Sequence, residues 1–113
     1  MAGKQLTIEG VNFSLDEDGY LEDRGSWSES FARIQASADG IELDEAHWEI
    51  IHFVQEYFER FEIAPPMRAM VRAIGQRLGT EKASSRYLYR LFPDGPAKQV
   101  CRYAGLPKPV SCI

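Results

Sequence analysis

The chain has 113 residues, 44% hydrophobic and 27% charged, which fits one globular domain and excludes a disordered polypeptide. No apolar run approaches the roughly 20 residues that a bilayer-spanning helix needs. The start Met1-Ala-Gly-Lys-Gln-Leu6 has no apolar signal region, so a cytoplasmic protein without membrane insertion is expected.

The first element predicted is a β-hairpin over residues 5–13, turning at Glu9-Gly10. Asp16-Glu17-Asp18-Gly19 is a second turn, after which Tyr20-Leu21 can add a short strand. So few strands need helices to lie on. Ser26 and Glu29 have capping-box spacing, which predicts a helix over 27–38 burying Trp27, Phe31 and Ile34. Asp44 is the natural N-cap of a longer helix over 45–61, with the apolar stripe Ile51, Val54, Phe58 and Phe61. This helix is expected to be the central packing element. Pro65-Pro66 restarts the chain, and Met67, Met70, Val71, Ile74 and Leu78 then recur at helical spacing. Thr80 is a candidate cap for a helix to about Phe92, on which Lys82, Arg86 and Arg90 form a cationic stripe at i, i+4 and i+8. A last short helix starts at Pro96 and stops before Gly105. Residues 106–113, holding Pro107 and Pro109, cannot be helical and read as a mobile arm.

The expected fold is therefore mainly α. It is a small orthogonal helical domain over 1–105, with an N-terminal hairpin, a helix-turn-helix-like pair and a C-terminal arm over 106–113. Charge divides along the chain. Residues 1–62 hold 15 acids and 4 bases, and residues 63–113 hold 2 acids and 9 bases, within a net charge of −4. This division suggests either a cationic working face, with Lys82, Arg86 and Arg90 as a docking patch for a partner, or two halves that complement each other inside one fold.

Candidate chemistry lies in the two cysteines, Cys101 and Cys112. A disulfide-stapled exported domain would spread more of them along the chain. The histidines, His47 and His52, are five apart, about 140° round a helix, so they do not converge on a metal; no metal and no cofactor are expected. Cys112 is penultimate on a proline-stiffened arm, where a thiol can be presented to another protein. Cys101 lies on the last helix, on a face with Ala97, Val100 and Ala104, while Lys98 and Arg102 take the other face. Ten residues separate the thiols, a loop that Gly105, Pro107 and Pro109 can fold back if the two Cα atoms come within roughly 7 Å. Lys98, Arg102 and Lys108 are candidates for favouring anionic sulfur and orienting the arm.

The run Arg86-Tyr-Leu-Tyr-Arg-Leu-Phe-Pro-Asp-Gly-Pro-Ala-Lys-Gln99, followed by Ala104-Gly-Leu-Pro-Lys-Pro-Val-Ser-Cys-Ile113, strongly resembles the DsrC/TusE family of sulfur-carrier proteins. Asp18-Gly-Tyr-Leu21, Glu45-Ala-His-Trp-Glu49 and Ala64-Pro-Pro-Met-Arg68 match the same family at corresponding places, so nearly the whole chain is covered. The resemblance implies that Cys112 carries sulfur as a persulfide, taken from an upstream relay protein and passed to a downstream enzyme. In the DsrC branch that enzyme is dissimilatory sulfite reductase, and a cysteine matching Cys101 joins the penultimate one. In the TusE branch the sulfur goes toward 2-thiouridine in tRNA, and the upstream cysteine is usually absent. Keeping Cys101 points to DsrC, while the Lys-Pro-Val-Ser-Cys-Ile ending looks closer to TusE. A different class is a helix-turn-helix regulator meeting DNA phosphates through Lys82, Arg86 and Arg90, which the net charge of −4 disfavours.

Overall fold

The computed structural model describes residues 4–79, 81 and 84–109. Strands β1 (Lys4–Ile8) and β2 (Val11–Leu15) pair antiparallel, with Leu6 opposite Phe13. Glu9 and Gly10 both take positive φ, 52° and 82°, the two-residue turn whose twist suits a hairpin. The possible third strand is reduced to one bridge between Leu15 and Leu21. The Asp16 carboxylate holds that bend by accepting from the amides of Asp18 and Tyr20, both at 2.9 Å. Ile8, Phe13, Leu15 and Leu21 close over Phe31, which seats the hairpin on the first helix.

That helix, α1 (Glu29–Ala38), starts two residues later than the sequence suggests. Ser26 does not cap it: it ends a 3₁₀ turn over Arg24–Ser26, its hydroxyl donating to the Asp23 carbonyl. Ser28 takes the role, its Oγ accepting from the Phe31 amide at 3.3 Å. Phe31, Ala32 and Ala36 then face inward, and Ile34 is turned out to 44% exposure.

Helix α2 (Glu45–Phe61) has the expected bounds and the expected Asp44 cap. The Asp44 carboxylate accepts from the amides of Ala46 and His47, and the His47 ring packs back on it. These hydrogen bonds hold the Asp44 carboxyl below its ordinary value. His47 is buried, with Nε2 2.9 Å from the Leu91 carbonyl, and His52 is exposed. The buried side is Ile50, Ile51, Phe53 and Val54, whereas Phe61 is 54% exposed.

Helix α3 (Met67–Leu78) buries Met70 and Ile74. Helix α4 (Ser85–Leu91) is capped by Ser84, not Thr80; Ser84 Oγ accepts from the Tyr87 amide at 3.1 Å. Arg86 and Arg90 lie on α4; Thr80 and Lys82, the expected cap and the first residue of the expected stripe, lie outside the described residues. Removing the cap by Ser84→Ala is expected to cost about 1 kcal/mol, read by urea denaturation.

Helix α5 (Pro96–Ala104) is the hub, where the sequence pointed to α2. It packs against α1, α2, α3 and α4, and every residue on it except Lys98 and Arg102 is buried. Small side chains at Ala97 and Ala104 let the neighbouring helices approach closely. None of the helices is long and apolar enough to cross a membrane, among the described residues.

Candidate functional site

The chemistry expected of this chain is concentrated where α5 ends and the C-terminal segment leaves. A helix end strands its last four carbonyls. Here each has a donor. The Leu106 amide bonds to Cys101 O at 3.0 Å and the Gly105 amide to Arg102 O at 3.4 Å, the paired bonds of a Schellman end. The Trp27 indole donates to Tyr103 O at 2.8 Å, and Gln55 Nε2 donates to Ala104 O at 3.0 Å. Gly105 sits at φ 77° with Trp27 against it; a Cβ there would lie 2.7 Å from Trp27 Cδ1.

This locked end moves the start of the arm. The sequence begins it at Leu106, but the Leu106 side chain is 1% exposed and belongs to the core. Pro109 is also buried, Pro107 is exposed, and Lys108 Nζ lies 3.6 Å from Asp18 Oδ2 in an ion pair open to solvent. Residues 110–113, Cys112 among them, lie outside the described residues.

Cys101 is a free thiol with no exposed surface. Burial pushes it up to about 12 from 9.0. It is therefore a neutral thiol at physiological pH, and the thiolate that reacts is suppressed. The Tyr20 phenol is raised to about 12, first by burial and then by its proximity to Cys101; its hydroxyl donates to the Lys98 carbonyl at 3.2 Å. The sign of the linkage is definite. A group whose folded value is raised supports folding below its unfolded value and loses that support as pH climbs toward the folded one. Stability should fall between pH 9.0 and about 12, and Cys101→Ala should flatten that fall relative to the parent, measured by denaturation at several pH values.

The cations divide by partner. Arg102, expected to orient anionic sulfur, instead spends its guanidinium on the Asp39 carboxylate. Asp39 also accepts from Tyr103 Oη at 2.6 Å and from Gln99 Nε2 at 3.3 Å, tying α1 to α5. Burial and the Asp39 carboxylate push the Tyr103 phenol well above its ordinary value. Arg102 Nε is buried without a partner among the described residues. Lys98 is exposed, and Lys108 is turned to Asp18. Arg86 and Arg90 are exposed on α4 and form no ion pair among the described residues. Trp27, Gln55 and Asp39 shape this end of the molecule and were not singled out as site residues by sequence. Only a pairing signal across the chain could have found them.

The family profile described as "DsrC like protein" matches residues 7–113. The chain belongs to the DsrC-like family. It is 49% identical over 108 residues to a "Sulfurtransferase TusE" from Pectobacterium atrosepticum, covering 96% of this chain and 99% of that one. Among solved structures it is similar to Allochromatium vinosum DsrC, with a TM-score of 0.90 and 48% identity over 98% of this chain and 99% of that chain. The oxidized gamma-subunit of dissimilatory sulfite reductase from Archaeoglobus fulgidus matches with a TM-score of 0.82 and 40% identity, covering 97% and 100% of the two chains. The DsrC-like match runs from the end of β1 through β2, helices α1 to α5 and the C-terminal segment that carries Cys112.

Proposed function

We propose that this chain is a sulfur carrier that holds sulfur as a persulfide on Cys112, receives it from an upstream relay protein and delivers it to a downstream enzyme. The observation supporting Cys112 is the state of the other thiol. Of the two cysteines in the chain, Cys101 is sealed and neutral, so transfer at neutral pH falls to the penultimate residue. The Cys112 thiolate attacks the outer sulfur of a donor persulfide. The donor S–S bond breaks, the donor leaves as a thiolate, and a Cys112 persulfide forms without net oxidation. No cofactor takes part. A reducing cytoplasm, which keeps such thiols free, is the matching compartment.

In the DsrC-like form of this reading, dissimilatory sulfite reductase is the acceptor and Cys101 joins Cys112 after delivery. The position of Cys101 favours it: its carbonyl takes the Leu106 amide, directly beneath the start of the segment. Cys101 reacts only once its packing opens. In the TusE-like form, a single-thiol relay passes sulfur toward a tRNA 2-thiouridylase. The burial of Cys101 favours that form.

The test is intact-mass measurement after incubation with a persulfide donor. Parent and Cys101→Ser should each gain about 32 Da, one sulfur atom, and Cys112→Ser should gain nothing. Loading that follows Cys101 overturns the assignment. Mild oxidation of dilute protein then separates the two forms. An internal Cys101–Cys112 bond supports the DsrC-like cycle, and two free thiols or a linked dimer support the single-thiol relay.

A further inference from the structure

Between α2 and α3 runs a groove of about 570 Å³ that uses none of the thiol machinery. Its floor is Phe53, Tyr57, Ala69 and Ala73, and Phe61 stands at its edge, 54% exposed. Its walls carry Arg60, Arg68, Arg72 and Arg77, facing a single acid, Glu56. Arg77 takes that acid. Arg60, Arg68 and Arg72 have no carboxylate partner among the described residues, in a chain with 17 acids and 13 Lys and Arg. An apolar trough walled by three uncompensated guanidiniums is built for something that brings both apolar side chains and negative charge.

We propose that this α2–α3 groove is a docking site for an acidic amphipathic helix of a partner protein, its apolar stripe on Tyr57, Phe61 and Ala73 and its carboxylates on Arg60, Arg68 and Arg72. A trough between two helices accepts a third helix by its i, i+3, i+4, i+7 anchors. Nucleic acid fits less well. The Tyr57 and Phe61 rings already lie on each other at 4.6 Å, and the Arg60 guanidinium sits 5.9 Å over Phe61, so the ring faces are not open to stacking bases. Glu56 on the wall opposes phosphates. The carboxylate–guanidinium contacts are bidentate in kind, which arginine favours over lysine. The proposal does not rest on the sulfur-carrier reading and can fail without it.

The probe is a synthetic peptide of about 14 residues, roughly four helical turns, with leucines at i, i+3, i+4 and i+7 and glutamates on both flanks. The full chain is titrated with it, reading fluorescence anisotropy and backbone amide shifts. Shifts should cluster on α2 and α3, and affinity should fall as salt rises. The double variant Arg68→Glu/Arg72→Glu should weaken binding about tenfold or more, and Phe61→Ala about fivefold. All three side chains lie at the surface, so circular dichroism of each variant should match the parent. Four results overturn the proposal: no binding, shifts centred on α5 instead, equal binding of the peptide with lysine for glutamate, or displacement of the peptide by a uridine oligonucleotide. Self-association abolished by the same variants also overturns it, by making a second copy the occupant.

Discussion

Replacing Asp39 by alanine should cost about 3 kcal/mol of folding stability, the largest loss expected from any single polar side chain here. Asp39 has one carboxylate and three donors: Arg102, Tyr103 and Gln99. Removing it leaves a guanidinium on a buried helix with no counter-charge and leaves the Tyr103 hydroxyl, on a side chain with no exposed surface, without its acceptor. The Arg102 and Asp39 side chains retain 26% and 22% exposure, so water softens the loss and the lower end of the range for breaking a buried pair applies. Asp39→Asn keeps an acceptor but loses the charge and should fall about midway. Tyr103→Phe deletes two hydrogen bonds, the one donated to Asp39 and the one accepted from Gln99 Nε2 at 2.9 Å, and should cost about 1 to 2 kcal/mol. Urea denaturation orders the three. An Asp39→Ala protein within about 0.5 kcal/mol of the parent would show that solvent, not this network, neutralises Arg102.

Asp39 also marks where sequence reasoning stops. Read locally, it is a turn residue before Gly40, and it does end α1. Its energetic partners lie 60 or more positions away, and no local pattern announces them. The same holds for Trp27 and Gln55, whose acceptors are the carbonyls of Tyr103 and Ala104. By contrast, α2 and α5 were legible to the residue, because Asp44 and Gly105 are local start and stop signals acting on their own backbone. The starts of α1 and α4 were not. The caps are Ser28 and Ser84 in place of the expected Ser26 and Thr80: Ser28 takes the Phe31 amide and Ser84 takes the Tyr87 amide.

Of the candidate site, helical spacing placed Cys101 on an apolar face, while Cys112, singled out by position, lies outside the described residues. Spacing could not show that α5 is enclosed on nearly all sides, which turns a candidate nucleophile into a neutral buried thiol. The prolines after Gly105 read as a free arm. The residue between them and the glycine is a leucine, however, and an apolar side chain just past a Schellman glycine packs back on the helix. Applied to Leu106, that rule shifts the start of the arm toward the C-terminus on local pattern alone.

Replacing Gly105 by alanine should both destabilise the protein and unseal Cys101. The residue sits at φ 77°, where a side chain costs about 1 kcal/mol by itself. The added Cβ would also meet Trp27 Cδ1 at 2.7 Å, with two further Trp27 carbons at 3.1 Å. Trp27 cannot easily step aside, since its indole is spent on Tyr103 O. Either the indole hydrogen bond breaks or the Gly105–Leu106 segment lifts from α5. In both cases the total should reach about 2 to 4 kcal/mol. If the segment lifts, the Leu106 amide leaves Cys101 O and the Leu106 side chain leaves the core cluster that also holds Cys101. Alkylation tells the two apart. In a Cys112→Ser background only Cys101 can react, and in the parent fold it should resist iodoacetamide at pH 8, being both enclosed and neutral up to about 12. With Gly105→Ala added, labelling in native buffer should become measurable and should run ahead of global unfolding. Trp27→Ala is the control. It removes Cδ1 and Cγ and leaves only the Trp27 Cβ at 3.1 Å, so Gly105→Ala on top of it should add little beyond the backbone cost of about 1 kcal/mol. Full protection of Cys101 in the Gly105→Ala protein would mean that the locked helix end and the thiol are independent. Access to Cys101 would then have to come from the Tyr20 side, through the turn held by Asp16.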